Sequence, residues 1–183
     1  MKKPFLQYEL PVFGLKIGTQ HFQFELEDDF FGQFENTLVQ HGKDFQVALE
    51  FDKRHDMLVL KFDFSGKVKV DCDRCLAEIW LPVEGSEQLI IKYSAEEKDE
   101  DGEVVFITPE THELNVAKFI YEYICLSLPL VNIYDCQKEG EKPPCDSKML
   151  AYIAQQNDDR EENQDAPPPD DSVWKELKKW NEN

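Results

Sequence analysis

The sequence predicts an α+β domain: a mainly antiparallel sheet or partly closed barrel, packed by one main helix and followed by a flexible acidic C-terminal tail. Three patterns carry this expectation. Apolar and polar residues alternate through residues 44–51 and again through 57–64, the period of a half-buried strand. Residues 114–128 switch to helical spacing, with Leu114, Ala117, Ile120, Tyr121, Ile124 and Leu128 in phase. Residues 157–171 carry seven acids, one Arg and three consecutive prolines, a composition that cannot build a core.

Taken in order, residues 5–10 alternate and predict a strand, broken by Pro11, Gly14 and Gly18. Residues 21–26 alternate again, with Phe22, Phe24 and Leu26 on one face. Glu27, Asp28 and Asp29 ahead of Phe30 and Phe31 suit the first turn of a short helix, where carboxylates meet the positive end of the helix dipole. Phe45, Val47, Leu49 and Phe51 then face Leu58, Leu60, Phe62 and Phe64 across the polar turn 52–56, a hairpin signature. Ser65-Gly66 predicts a turn, residues 67–70 a short strand, residues 76–83 and 88–93 two more, and residues 103–107 another. Short connections favour antiparallel pairing, because parallel strands need a long crossover. The run 96–103 is too acidic for a sheet and predicts an exposed loop; it lacks the Gly and Glu spacing of a calcium loop. Glu113 near the start of the main helix and Pro129 after it mark its ends. The organisation expected is one domain over residues 1–150, then residues 151–183 as an acidic linker and a short amphipathic segment with Val173, Trp174, Leu177 and Trp180 in a stripe.

The chain has 38 acids against 20 bases, a net charge of -18. RNA affinity comes mainly from Lys and Arg neutralising phosphates. This balance therefore disfavours bare RNA and anionic membranes and favours basic proteins, although acidity also serves plain solubility. No apolar run approaches the roughly 20 residues of a membrane span. Residues 119–131 come nearest and are interrupted by Glu122, Ser127 and Pro129. A cytoplasmic protein is expected, and five cysteines in a reducing compartment favour thiols or metal over a disulfide framework.

The densest chemical signal is Asp71-Cys72-Asp73-Arg74-Cys75-Leu76. Two thiols three positions apart on a tight turn are half of a tetrahedral zinc site. Cys136 and Cys145 could complete it as a structural zinc pinning residues 130–145 across the turn, although their spacing is loose. Two other readings stay open. Cys72 and Cys75 can pack as small apolar groups, with Arg74 paired to an acid. They can also form a redox pair, although such pairs usually open a helix, and the flanks here look like strands. Cys125, inside the helical run, suits packing. His21, His41, His55 and His112 are scattered, and no phosphate loop, paired-His motif or nucleophile elbow is present, so no catalytic set is indicated.

At residues 71–76 the chain resembles the YceD family of large ribosomal RNA subunit accumulation proteins. Strands flanking the cysteine turn, the acidic loop, a Tyr-Glu helix ending at Leu126-Ser127-Leu128-Pro129, and Cys145 about 16 positions later agree in order. Asp171-Ser172-Val173-Trp174-Lys175-Glu176-Leu177 is similar, with substitutions, to an Asp-Pro-Arg-Trp-x-x-Leu ending. Many relatives have a His or a second close cysteine pair where this chain has Tyr134-Asp135-Cys136. The resemblance implies a role in accumulation or processing of large-subunit rRNA; together with the acidic balance it leads to the expectation of a ribosome-biogenesis factor without catalysis. It would bind a basic ribosomal protein or large-subunit precursor, with Asp71, Asp73 and Arg74 as partner-binding residues. RNA contact would be indirect, or would use Lys67, Lys69 and Arg74. The alternative is an RNA-processing or thiol-redox enzyme using the cysteine pair.

Overall fold

The computed structural model describes residues 5–34, 38–94, 104–135 and 144–162. Its strands are β1 (Glu9–Pro11), β2 (Gly18–Leu26), β3 (Gly42–Lys53), β4 (Met57–Asp71), β5 (Glu78–Tyr93), β6 (Val104–Ile107) and β7 (Glu113–Asn115). Its helices are α1 (Asp28–Phe31), α2 (Ala117–Leu126) and α3 (Ser147–Glu162). Five strands form one sheet in the order β2-β3-β4-β5-β6, and β1 and β7 form a separate antiparallel ribbon. The fold is α+β, as the patterns predict, with several corrections.

First, the sheet is open: β2 and β6 are its edges and do not meet to close a barrel. Second, β6 runs parallel to β5, with Ile90 opposite Val104. A parallel pair of this kind is joined by a crossover and not by a hairpin. Third, α3 adds a helix to the main one and the short one expected after Glu27, and takes residues 157–162 out of the predicted linker. Fourth, residues 5–10 do not form one strand; a 3-10 turn over Leu6–Tyr8 precedes β1. The predicted acidic loop at 96–103, the linker beyond residue 162 and the amphipathic stripe lie outside the described residues, as does Cys136.

Ser65-Gly66 is not a turn. It lies inside β4, which pairs without a break from Met57↔Lys92 to Asp71↔Glu78. The glycine is there for space: a Cβ at Gly66 would sit 2.3 Å from Cγ of Phe45. Gly85 of β5 answers to Phe64 in the same way, at 2.5 Å. Both glycines are packing features of long strands whose sequence mimics turns.

The alternating residues do what their period requires. Phe45, Val47, Leu49 and Phe51 of β3, with Leu58, Leu60, Phe62 and Phe64 of β4, enter one buried cluster. Helix α1 closes it with Phe30 and Phe31, and α2 with Ile120, Tyr121 and Ile124. The opposite sheet face is polar and is not covered by any described element, with Lys61, Asp63, Ser65 and Lys67 exposed along β4. The β3 phase is interrupted once. Asp44 takes the left-handed conformation (φ 55), and the register shifts between Lys43 and Gln46. An extra residue of this kind turns the preceding side chain to the other face. Alternation carried back from Phe45 would bury Lys43, but the bulge exposes it.

Candidate functional site

The cysteine turn joins β4 to β5. The Cys72 N–H donates to the Ala77 carbonyl (2.9 Å), and the Leu76 N–H donates to the Cys72 carbonyl (2.8 Å). Leu76 closes the turn in the left-handed region (φ 58), a conformation that bulky residues rarely adopt. Cys72 and Cys75 are free thiols, both buried, and share a small cluster with Ile79. Tyr134, Cys145, Met149 and Leu150 pack against this cluster, so the start of α3 is carried to the turn. Burial of the Cys72 sulfur opposes ionisation. Backbone N–H groups of Tyr134, Arg74 and Cys75, and the Cys75 thiol, outweigh it and hold the Cys72 thiol below its usual range. Cys125 on α2 behaves oppositely, with burial pushing its thiol up.

Two thiols supported by backbone amides are a good half of a thiolate site. The other half is not complete among the described residues, where no three metal-binding side chains converge. Cys145 is brought to the turn but is disulfide-bonded, a departure from the all-thiol expectation. A sulfur held in a disulfide offers no thiolate, so Cys145 could serve a metal only after reduction.

The partner-binding residues inferred from sequence separate into different roles. Asp73 is a clamp: its Oδ2 accepts the Asn132 N–H (2.6 Å), and its own N–H donates to the Asn132 carbonyl (2.8 Å). Arg74 directs its backbone N–H at the Cys72 sulfur and does not line the neighbouring groove. Asp71 does line it. The groove, of about 440 Å³, runs between Leu38, Gln40 and His41 on one side and Leu128 and Asn132 on the other, with Lys69, Asp71 and Glu78 on the sheet and Asp73 in the turn. Asp71 and Glu78 are direct cross-strand partners, a like-charge pairing that costs stability. Lys69 is tied to Glu78 at 2.8 Å, and His41 to Asp28 at 3.1 Å. Asn132 Oδ1 is buried without a hydrogen-bond partner among the described residues.

The far wall of the groove was not legible in the sequence. It is hung from α2 by Tyr121, whose hydroxyl donates to the Val39 carbonyl (3.0 Å) and accepts the Val39 N–H (3.1 Å). Its ring stacks on Phe34 at 4.1 Å. No local pattern announces a bond across 82 positions. Replacing Tyr121 with Phe strands both buried Val39 groups, and a loss of about 1–3 kcal/mol is expected in denaturant unfolding, with an unchanged m-value.

Helix, sheet and cysteine turn fall together within one relationship. The family model described as "Large ribosomal RNA subunit accumulation protein YceD" matches residues 60–180. The chain belongs to the YceD family. The match covers β4, the cysteine turn, β5 and α2, and begins inside the sheet, so β1 to β3 lie ahead of it. No curated protein and no solved structure matches this YceD chain. The family description ties it to accumulation of large-subunit rRNA. No helix among the described residues is long and apolar enough to cross a membrane.

Proposed function

We propose that this YceD protein is a non-enzymatic ribosome-biogenesis factor that holds a basic ribosomal protein, or a basic segment of a large-subunit precursor, in the groove beside its cysteine turn. The observation that carries this reading is the donor and acceptor balance of the groove. It presents the exposed carboxylate of Asp71 opposite Glu78, which Lys69 already pairs, beside the apolar side chains Leu38 and Leu128. Lys and Arg side chains donate and never accept hydrogen bonds, and their stems are apolar, so they match both parts. The net charge of -18 draws such a partner in from a distance. A factor of this kind keeps a cationic protein from premature RNA contact by occupying the charges that RNA would neutralise.

The test is affinity capture with the full chain from host extract, followed by mass spectrometry with and without RNase. Large-subunit ribosomal proteins should remain bound after RNase. Their complete loss on RNase treatment would show that RNA carried the capture and would contradict the reading.

The same proposal includes a structural zinc held by Cys72 and Cys75 with Cys136 and Cys145, the last two being available only as thiols. Burial of Cys72 and Cys75 supports a structural role, since it closes the pair to a protein disulfide substrate. Metal analysis of chain purified under reducing, chelator-free conditions should find about one zinc per chain, lost in Cys72→Ser/Cys75→Ser. Metal-free protein with unchanged stability would remove the zinc and leave the thiols as packing.

A further inference from the structure

On the polar face of the sheet, which also carries Glu25, Glu50, Asp63 and Glu84, two lysines meet across β3 and β4. Lys43 of β3 and Lys67 of β4 are direct cross-strand partners, and both are exposed. Like charges opposed in this way destabilise a sheet. With 38 acids available, neither lysine lies within ion-pair distance of a carboxylate among the described residues. Lys43 is held differently, with its Nζ 4.0 Å from the ring centroid of Trp80. Trp80 is half-exposed on the same face, opposite Lys69, and Lys67 lies opposite Pro82. The bulge at Asp44 is what brings Lys43 to this face. The residue that breaks the strand's alternation thus creates the pairing of two lysines.

We infer that Lys43 and Lys67, with Trp80 holding the first of them in place, form a contact surface for the phosphate backbone of an RNA strand. An ammonium held against an indole face is partly ordered before a ligand arrives. The second lysine, across the strand pair, adds another cation that forms no ion pair with a described carboxylate. Two closely placed cations on an open sheet match consecutive phosphates of a nucleic-acid strand, and each releases condensed counterions on contact. Lys69 adds little, because Glu78 neutralises it, and Arg74 lies in the cysteine turn beyond the sheet. The cationic contact therefore centres on Lys43 and Lys67 and not on Lys67, Lys69 and Arg74. That the polyanion is RNA rests on the family's tie to ribosomal RNA. The surface adjoins the groove at Lys69, which lines the groove and lies opposite Trp80, so the protein would touch RNA beside the site that holds a basic partner.

The test is fluorescence anisotropy of a labelled 12-nucleotide single-stranded RNA with the full chain over a range of salt concentrations. Binding at low salt is expected, weakening as salt rises. Lys43→Gln/Lys67→Gln should lower affinity at least about fivefold and flatten the salt dependence by roughly 0.7 in log–log slope per lysine. Lys67→Gln alone should lower affinity without lowering thermal stability, because it removes a like-charge opposition. Lys92→Gln, on the same strand as Trp80 but at its far end, should bind as the parent chain does. Asp71→Lys/Glu78→Lys should keep RNA binding while losing the protein partner, which separates this surface from the groove. Undetectable binding at low salt, or equal losses in Lys92→Gln and the double glutamine variant, would overturn the inference.

Discussion

Asp71→Lys/Glu78→Lys is expected to weaken capture of the basic ribosomal partner by roughly 10- to 100-fold without unfolding the chain. The two carboxylates are exposed and face each other across β4 and β5. Each partially exposed ion pair with an incoming Lys or Arg contributes up to about 1 kcal/mol, and reversal adds repulsion to that loss. The positions are adjacent, so their effects will not add fully. The substitution exchanges one like-charge opposition for another, but it also breaks the Lys69–Glu78 ion pair and sets a cation beside Lys69, so a modest loss of fold stability is expected. Asp73→Ala should act by a different route. It frees the Asn132 N–H and loosens residues 130–134 from the turn, so its effect on capture should come with a loss of stability. Comparing equilibrium binding and thermal unfolding for the two variants separates recognition from support.

Phe31→Ala should cost about 3–5 kcal/mol, the largest loss expected from a single substitution in the core around the groove. The ring is fully buried and sits among Phe30 (5.3 Å), Phe45 (5.2 Å) and Tyr121 (6.4 Å), joining α1, β3 and α2. It also underlies Gly42, where a Cβ would stand 2.2 Å from Cε2 of Phe31. Truncation removes the apolar transfer energy and leaves a cavity that these three elements cannot easily close. Against a total stability of roughly 5–15 kcal/mol, that loss is a large share. Phe31→Leu should cost clearly less, because it keeps most of the volume. Denaturant unfolding of both variants checks the size and the order of the effects.

The sheet was legible because its inward residues obey a period of two over long runs, as at Phe45 to Phe51 and Leu58 to Phe64. The same logic failed where a glycine served a neighbour's ring. Gly66 looked like punctuation because sequence alone does not show Phe45 beneath it. Parallel pairing of β6 was hidden because local pattern gives strand existence, not direction. Helix α3 was missed because residues 157–162 share the acidic composition of the linker. The cysteine turn was plain from spacing, and so was the acidity of Asp71 and Asp73. Their different jobs were not: Asp73 spends its carboxylate on Asn132, a bond across 59 positions. Lys43 was invisible as a surface residue because a single left-handed residue, Asp44, reverses its face. The lesson from these cases is that period reveals elements, whereas bulges, close approaches and long-range bonds decide which side chains reach the functional surfaces.

The central claim is that the anionic groove of this YceD protein supports the large ribosomal subunit by engaging a basic partner. The most direct measurement is the ratio of large- to small-subunit rRNA in host cells whose only copy of the protein is Asp71→Lys/Glu78→Lys, with its level matched to the parent. The account predicts a fall in that ratio towards the value in cells lacking the protein. A ratio equal to that of the parent, in cells where loss of the whole protein does lower it, would contradict the account.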